Sequence, residues 1–226
     1  MHAIRVVNLT ELANRGFVVA ESLPWAQLDE EDHWRLRPTE EIAGRLLALD
    51  AVFTWVAAPE QSVSTRDLND YIERSDLTAY MTPSEQEIVS LSRQDASNTH
   101  IETIGWRLEN MWSLAWVLGF DPQPPLGDMI DNDVIGAIIN GFIPRPGAGI
   151  AKLTAKSVVR PLEEIVALED FFYCAHNAVR SAQLGGNTVP QGFHPIADGG
   201  TVHERRVSLT WCISPGTAWD DTDVST

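Results

Sequence analysis

The chain has little cysteine, little basic charge and no long apolar run. Cys174 and Cys212 are the only cysteines in 226 residues, and no C-x-x-C pair occurs. A disulfide framework is therefore excluded, and two small buried thiols in a reducing compartment are expected. No stretch approaches the roughly 18–20 apolar residues of a membrane span. The opening "MHAIRVVNLTELANRG" lacks an apolar core and a small-residue cleavage site, so no secretory signal is expected there. Lys and Arg number 16 against 32 Asp and Glu, a formal charge of −16. Such a surface repels phosphate backbones and anionic lipid. The expectation is a cytoplasmic protein that binds neither nucleic acid nor membrane. A basic protein partner suits that charge, although solubility alone also accounts for it.

Catalytic and metal signatures are lacking too. "GAGIAK" holds a G-x-G, but no third glycine follows and no strand precedes it, so it fails as a nucleotide-binding loop. "DNDVIG" begins like a calcium loop with Asp131, Asp133 and Gly136. Ile135 then stands where an oxygen is needed, and Phe142 stands where the bidentate carboxylate belongs. The six histidines form no H-E-x-x-H pattern, and no G-x-S-x-G elbow occurs. Cys174 and His176 are two apart, about 200° around a helix, so they diverge rather than pair. Neither a metal nor a cofactor is expected.

What is present is helical. Apolar residues make up 44 % and charged residues 21 %, and tryptophan is plentiful at eight. "PTEEIAGRLLALDAVFTWVA" repeats apolar residues at three and four, from Ile42 to Val56, which predicts one apolar face. Thr82-Pro-Ser-Glu85 is a capping box with proline at the first helical position. "WRLENMWSLAWVLGF" is apolar on every side, as a central buried helix should be. A further long helix opens at Pro161 and stops at Gly185, and Thr201-Val-His-Glu204 reads as the capping box of a last helix. Thr10 and Gly16 bracket a short first helix, and Ser64 caps another with Asp67. The fold class read from this is predominantly α. It is a single-domain multi-helix bundle over 1–226 around a central buried helix, with at most short peripheral strands.

Charge then clusters at three places. Arg107 and Glu109 lie on the apolar central helix and each needs a partner, since an unpaired charge near a core is costly. His176 and Arg180 are four apart and share a helix face that could hold one carboxylate. Glu204, Arg205 and Arg206 open the last helix, where cations gain nothing from its dipole. Asp220 and Asp221 lie in the tail and could fold back as counter-charges, with Trp106, Trp211 and Trp219 as aromatic anchors.

These same residues carry a resemblance. "PTEEIAGRLLAL", "WRLENMWSLAWVLG", "LEEIVALEDFFYCAHNAVR" and "ERRVSLTWCISPGTAWDDTDVST" are similar to a bacterial family catalogued as domain of unknown function 4272, from about Leu23 onward. The resemblance implies a mostly helical cytoplasmic protein. It also implies that Arg107, Glu109, His176, Glu204, Arg205, Trp211, Trp219 and Asp220 form one set. It implies no reaction. Two functional readings stay open. One is a non-catalytic protein-interaction domain, for instance an immunity-like protein facing a basic toxin domain. The other is a small-ligand protein or enzyme using a His/Glu/Arg cleft.

Overall fold

The computed structural model describes residues 3–25, 34–144 and 149–226. Among them no strand occurs and the fold is predominantly α. In chain order the helices are α1 (Ala3–Asn14), α2 (Thr39–Ala57), α3 (Thr65–Arg74), α4 (Pro83–Ser90), α5 (Arg93–His100) and α6 (Trp106–Val117). They continue with α7 (Asn132–Gly136), α8 (Gly149–Lys156), α9 (Leu162–Gln183) and α10 (Ala197–Cys212). A 3-10 turn covers Leu77–Tyr80 and a π-helical turn Ala137–Phe142. The polar connector "DEEDHWRLR" and the glycine pair of "GAGIAK" fall partly outside the described residues. Two compact units emerge. One comprises Met1–Leu36, Pro124–Met129 and Arg160–Thr226, and the other Arg37–Gln123 and Ile130–Val159.

In the second unit α6 is buried from Leu108 to Val117 without a break. So is α2 from Ile42 to Val52, which is more than one apolar face. The reason is its surroundings: α3, α4, α5, α6, α8 and the 3-10 turn all pack on α2. Its polar residues Arg45 and Asp50 are consequently carried inside. The Thr82–Glu85 capping box forms, and Glu85 does more than cap. Its carboxylate accepts the Thr82 N–H at 3.0 Å and both Arg45 terminal nitrogens, at 2.5 and 2.9 Å. Burial pushes the Glu85 carboxyl up, but Arg45, Arg107 and the Thr82 N–H together outweigh it and hold the group below the usual range. At the far end of α2, Arg93 donates to the Thr54, Trp55 and Ala58 carbonyls, and Thr54 also accepts the Ala58 N–H.

In the first unit α1 packs on α9 and α9 on α10. α1 starts well before Thr10, whose hydroxyl donates to the Val6 carbonyl from mid-helix. Its buried stripe is Arg5, Asn8 and Leu12, two of them polar, because they meet Asp170 of α9. Gly16 does end the turn, at φ +86°. α10 begins at Ala197, not at Thr201. His194 supplies the cap: its Nδ1 accepts from the Ala197 N–H at 3.1 Å, and its own N–H donates to Asp198 at 2.7 Å. Gly199 and Gly200, which read as loop, are helical. A Cβ at 199 would stand 2.7 Å from Val179 Cγ1, so the bare backbone lets α10 close on α9. Gly199→Ala should therefore lower the melting temperature by a few degrees in a thermal melt. Overpacking costs about 1–3 kcal/mol, more than the up to ~1 kcal/mol of helix propensity alanine returns.

Candidate functional site

The charged residues singled out in the sequence fall in both units. Trp106 and Arg107 are half-buried on α6, and Glu109 is fully buried. Arg107 Nε lies 3.5 Å from Glu85, whose capping box had given no hint of that second role. Glu109 Oε1 accepts the Ile130 N–H at 2.8 Å. Both are used within their own unit.

In the first unit the two adjacent arginines of α10 do different work. Arg205 is wholly buried. Its guanidinium donates to the carbonyls of Pro125, Gly127 and Asp128, which holds the segment Pro124–Met129 in this unit. Arg206 is 3 % exposed and sits at the centre of a network. One terminal nitrogen donates to His176 Nδ1 and to the Val224 carbonyl, both at 2.8 Å. The other donates to the Ser225 carbonyl at 3.2 Å. The guanidinium lies 4.4 Å from the centre of the Tyr173 ring, and Arg5 lies 5.4 Å from the same ring. Arg206 Nε stands 3.7 Å from Glu169 Oε1, beyond hydrogen-bond reach, and has no other acceptor. Glu169 Oε1 accepts the Thr210 hydroxyl at 2.8 Å. Beneath them Asp170 takes Arg5 on one oxygen and Asn8 on the other.

The electrostatics follow from that packing. An arginine can only donate, so His176 Nδ1 must accept and the ring is neutral. Burial, with Arg206, His203 and Arg180 nearby, pushes the His176 pKa down to about 3. Burial pushes the Cys174 thiol up to about 12, with Asp170 adding to it. Burial also raises the Glu169 carboxyl, against the opposing pull of Arg206.

The tail and the remaining residues divide. Trp219 meets Trp211 edge-on, with ring centres 5.3 Å apart, which seats the tail on its own helix. Arg206 holds that tail by its carbonyls, whereas Asp220 and Asp221 are exposed. Arg180 is exposed and donates to Gln183, so it does not share a carboxylate with His176. Glu204 is half-buried inside α10 and caps nothing, because the helix starts earlier.

A cavity of about 170 Å³ opens beside Arg206, walled by Glu169, Tyr173, Thr210, Ile213, Pro24 and Trp25, with Asp223 and Ser225 of the tail across it. Sequence reading missed Glu169, Tyr173 and Thr210. A signal existed: 169, 173 and 176 share one face of α9 at spacings of four and three, as do 206, 210 and 213 on α10. Among the described residues no group of histidine, cysteine and carboxylates could hold a metal ion.

A predominantly helical protein with an internal arginine–carboxylate network, covered by its C-terminal segment, is the class this geometry defines. The chain belongs to the family described as "Domain of unknown function (DUF4272)", whose model matches residues 5–222. That match takes in α1, the helix that supplies Arg5 and Asn8 to Asp170. Neither the curated proteins nor the solved structures gave a match.

Proposed function

We propose that this protein is a non-catalytic binding module that recognises a basic protein partner through its acidic surface, in the manner of an immunity-like protein. The observation that carries this reading is where the charge resides. Among the described residues Arg5, Arg37, Arg45, Arg205 and Arg206 are buried, and so are Asp50, Glu85, Glu109, Glu169 and Asp170. Five positive and five negative side chains are thus taken out of play together, and the formal −16 rests on the rest of the chain. A surface of that sign steers cationic partners in and keeps nucleic acid away. The groups an enzyme would use speak for binding rather than chemistry. The Cys174 thiol is pushed to about 12, and His176 has its Nδ1 taken by Arg206.

Affinity purification from the native source should recover a stoichiometric protein partner with an excess of Lys and Arg. The same complex, reconstituted from purified components, should weaken at least about tenfold between about 0.05 and 0.5 M salt, as screening removes the long-range attraction. A partner bound equally at both salt concentrations, or one with no basic excess, would refute the reading.

A further inference from the structure

A groove of about 480 Å³ lies in the first unit, walled by the extended segment 18–20, the last turns of α9 and the chain that returns after them. We propose that it binds a small apolar carboxylate, with the carboxylate on Arg180 and the alkyl chain along Val18 and Leu184. Such a ligand is independent of any basic partner on the surface. The walls are held by hydrogen bonds. The Val18 N–H donates to the Thr188 carbonyl and the Ala20 N–H to Asn177 Oδ1, both at 2.9 Å. The Gly186 N–H donates to the Ser181 carbonyl, also at 2.9 Å, which turns the returning chain back against α9. A volume of this size falls within the roughly 300–1,000 Å³ of ligand pockets.

Charge then selects the ligand. Among the described residues Arg180 is the only charged side chain on the wall. It is exposed, and its one hydrogen bond runs from Nη1 to the neutral Gln183 amide at 2.7 Å. Nε and Nη2 remain, the edge of a guanidinium that takes a carboxylate by two parallel N–H···O bonds. Asn177 uses its Oδ1 for Ala20, so its amide nitrogen is left to donate. On a chain with 32 Asp and Glu against 16 Lys and Arg, a wall with one cation and no carboxylate side chain is a local reversal of sign. The apolar side has its own signal. Leu184 is 86 % exposed, the highest value among the described large apolar side chains, and Val18 is 59 % exposed. Together they leave apolar surface in water beside a free guanidinium edge, and a short alkyl chain would cover it. A bare anion leaves that surface open, and an apolar alcohol leaves the guanidinium without its counter-charge.

Isothermal titration of the full chain near neutral pH tests this, with octanoate as the probe and acetate and octylammonium as comparisons. Two temperatures are used, because apolar burial changes the heat of binding between them. Octanoate should bind with a dissociation constant below about 1 mM, and both comparisons at least about tenfold more weakly. The sign of that preference is diagnostic, since unspecific attraction to a chain of −16 favours the cation. Arg180 is exposed, so Arg180→Gln keeps the fold, and it should weaken octanoate about tenfold. Leu184→Ser should weaken octanoate at least about threefold and leave acetate unchanged. No heat at either temperature with about 10 mM octanoate would overturn the proposal. So would octylammonium binding as tightly as octanoate, or either variant binding octanoate like the parent.

Discussion

Arg205→Ala is expected to lower the melting temperature by on the order of 10 °C, a loss of about 3–5 kcal/mol. Arg205 is fully buried and donates to three carbonyls in Pro124–Met129, a segment carrying no helix of its own. Truncation leaves those acceptors with no donor and opens a void the size of a guanidinium and its stem. Lysine keeps the charge but offers one compact ammonium in place of a planar fork, so Arg205→Lys should fall between the parent and alanine. A site that merely recognised a ligand would behave otherwise, and its arginine could be removed with little change in melting temperature. Thermal or urea denaturation of the three proteins decides it. An alanine variant that melts within a degree or two of the parent would show that the three carbonyls are satisfied by water instead.

The helices that announced themselves in sequence are those whose cause is local. α6 is apolar on every side and is buried on every side. Thr82 and Glu85 are three residues apart, so their capping box is legible as written. Gly185 stops α9 because only the backbone at that residue is involved. What stayed illegible has a distant cause. The polar stripe of α1 makes sense only once Asp170, 165 residues away from Arg5, is beside it. The start of α10 rests on an imidazole nitrogen accepting backbone N–H groups, a role outside the usual capping residues. Gly199 after it looks like loop until Val179 is seen against it. The site follows the same division. Arg205 and Arg206 stood out as charges needing compensation, but the compensation came largely from backbone carbonyls. A carbonyl is common to every residue and leaves no mark in the sequence. Carboxylates were sought for that role, and Asp220 and Asp221 stayed in water.

Asp50 is a buried carboxylate of the second unit with no charge partner among the described residues, and it should make stability fall as pH rises. It sits on α2, 8 % exposed, and its Oδ1 has no hydrogen-bond partner. Tyr71 is nearby and equally dry, with an unpartnered hydroxyl. Burial alone moves the Asp50 pKa from 3.8 to about 7. The sign follows from linkage. Between those two values the folded protein keeps a proton that the unfolded chain has lost, so raising the pH favours unfolding. The neutral carboxyl therefore stabilises fully below pH 3.8, and that contribution is lost as the pH climbs through about 7. The whole swing is at most about 4 kcal/mol. Asp50→Asn keeps the shape and cannot ionise, so it isolates this one group from the other carboxylates that titrate in acid. At pH 4 the variant and the parent should have nearly equal stability. At pH 8 the variant should be more stable by about 2–4 kcal/mol, several degrees in melting temperature for a chain of this size. A difference that stays constant from pH 4 to 8 would mean that Asp50 ionises as freely in the folded protein as in the unfolded one. The buried acid would then have found a charge partner or water.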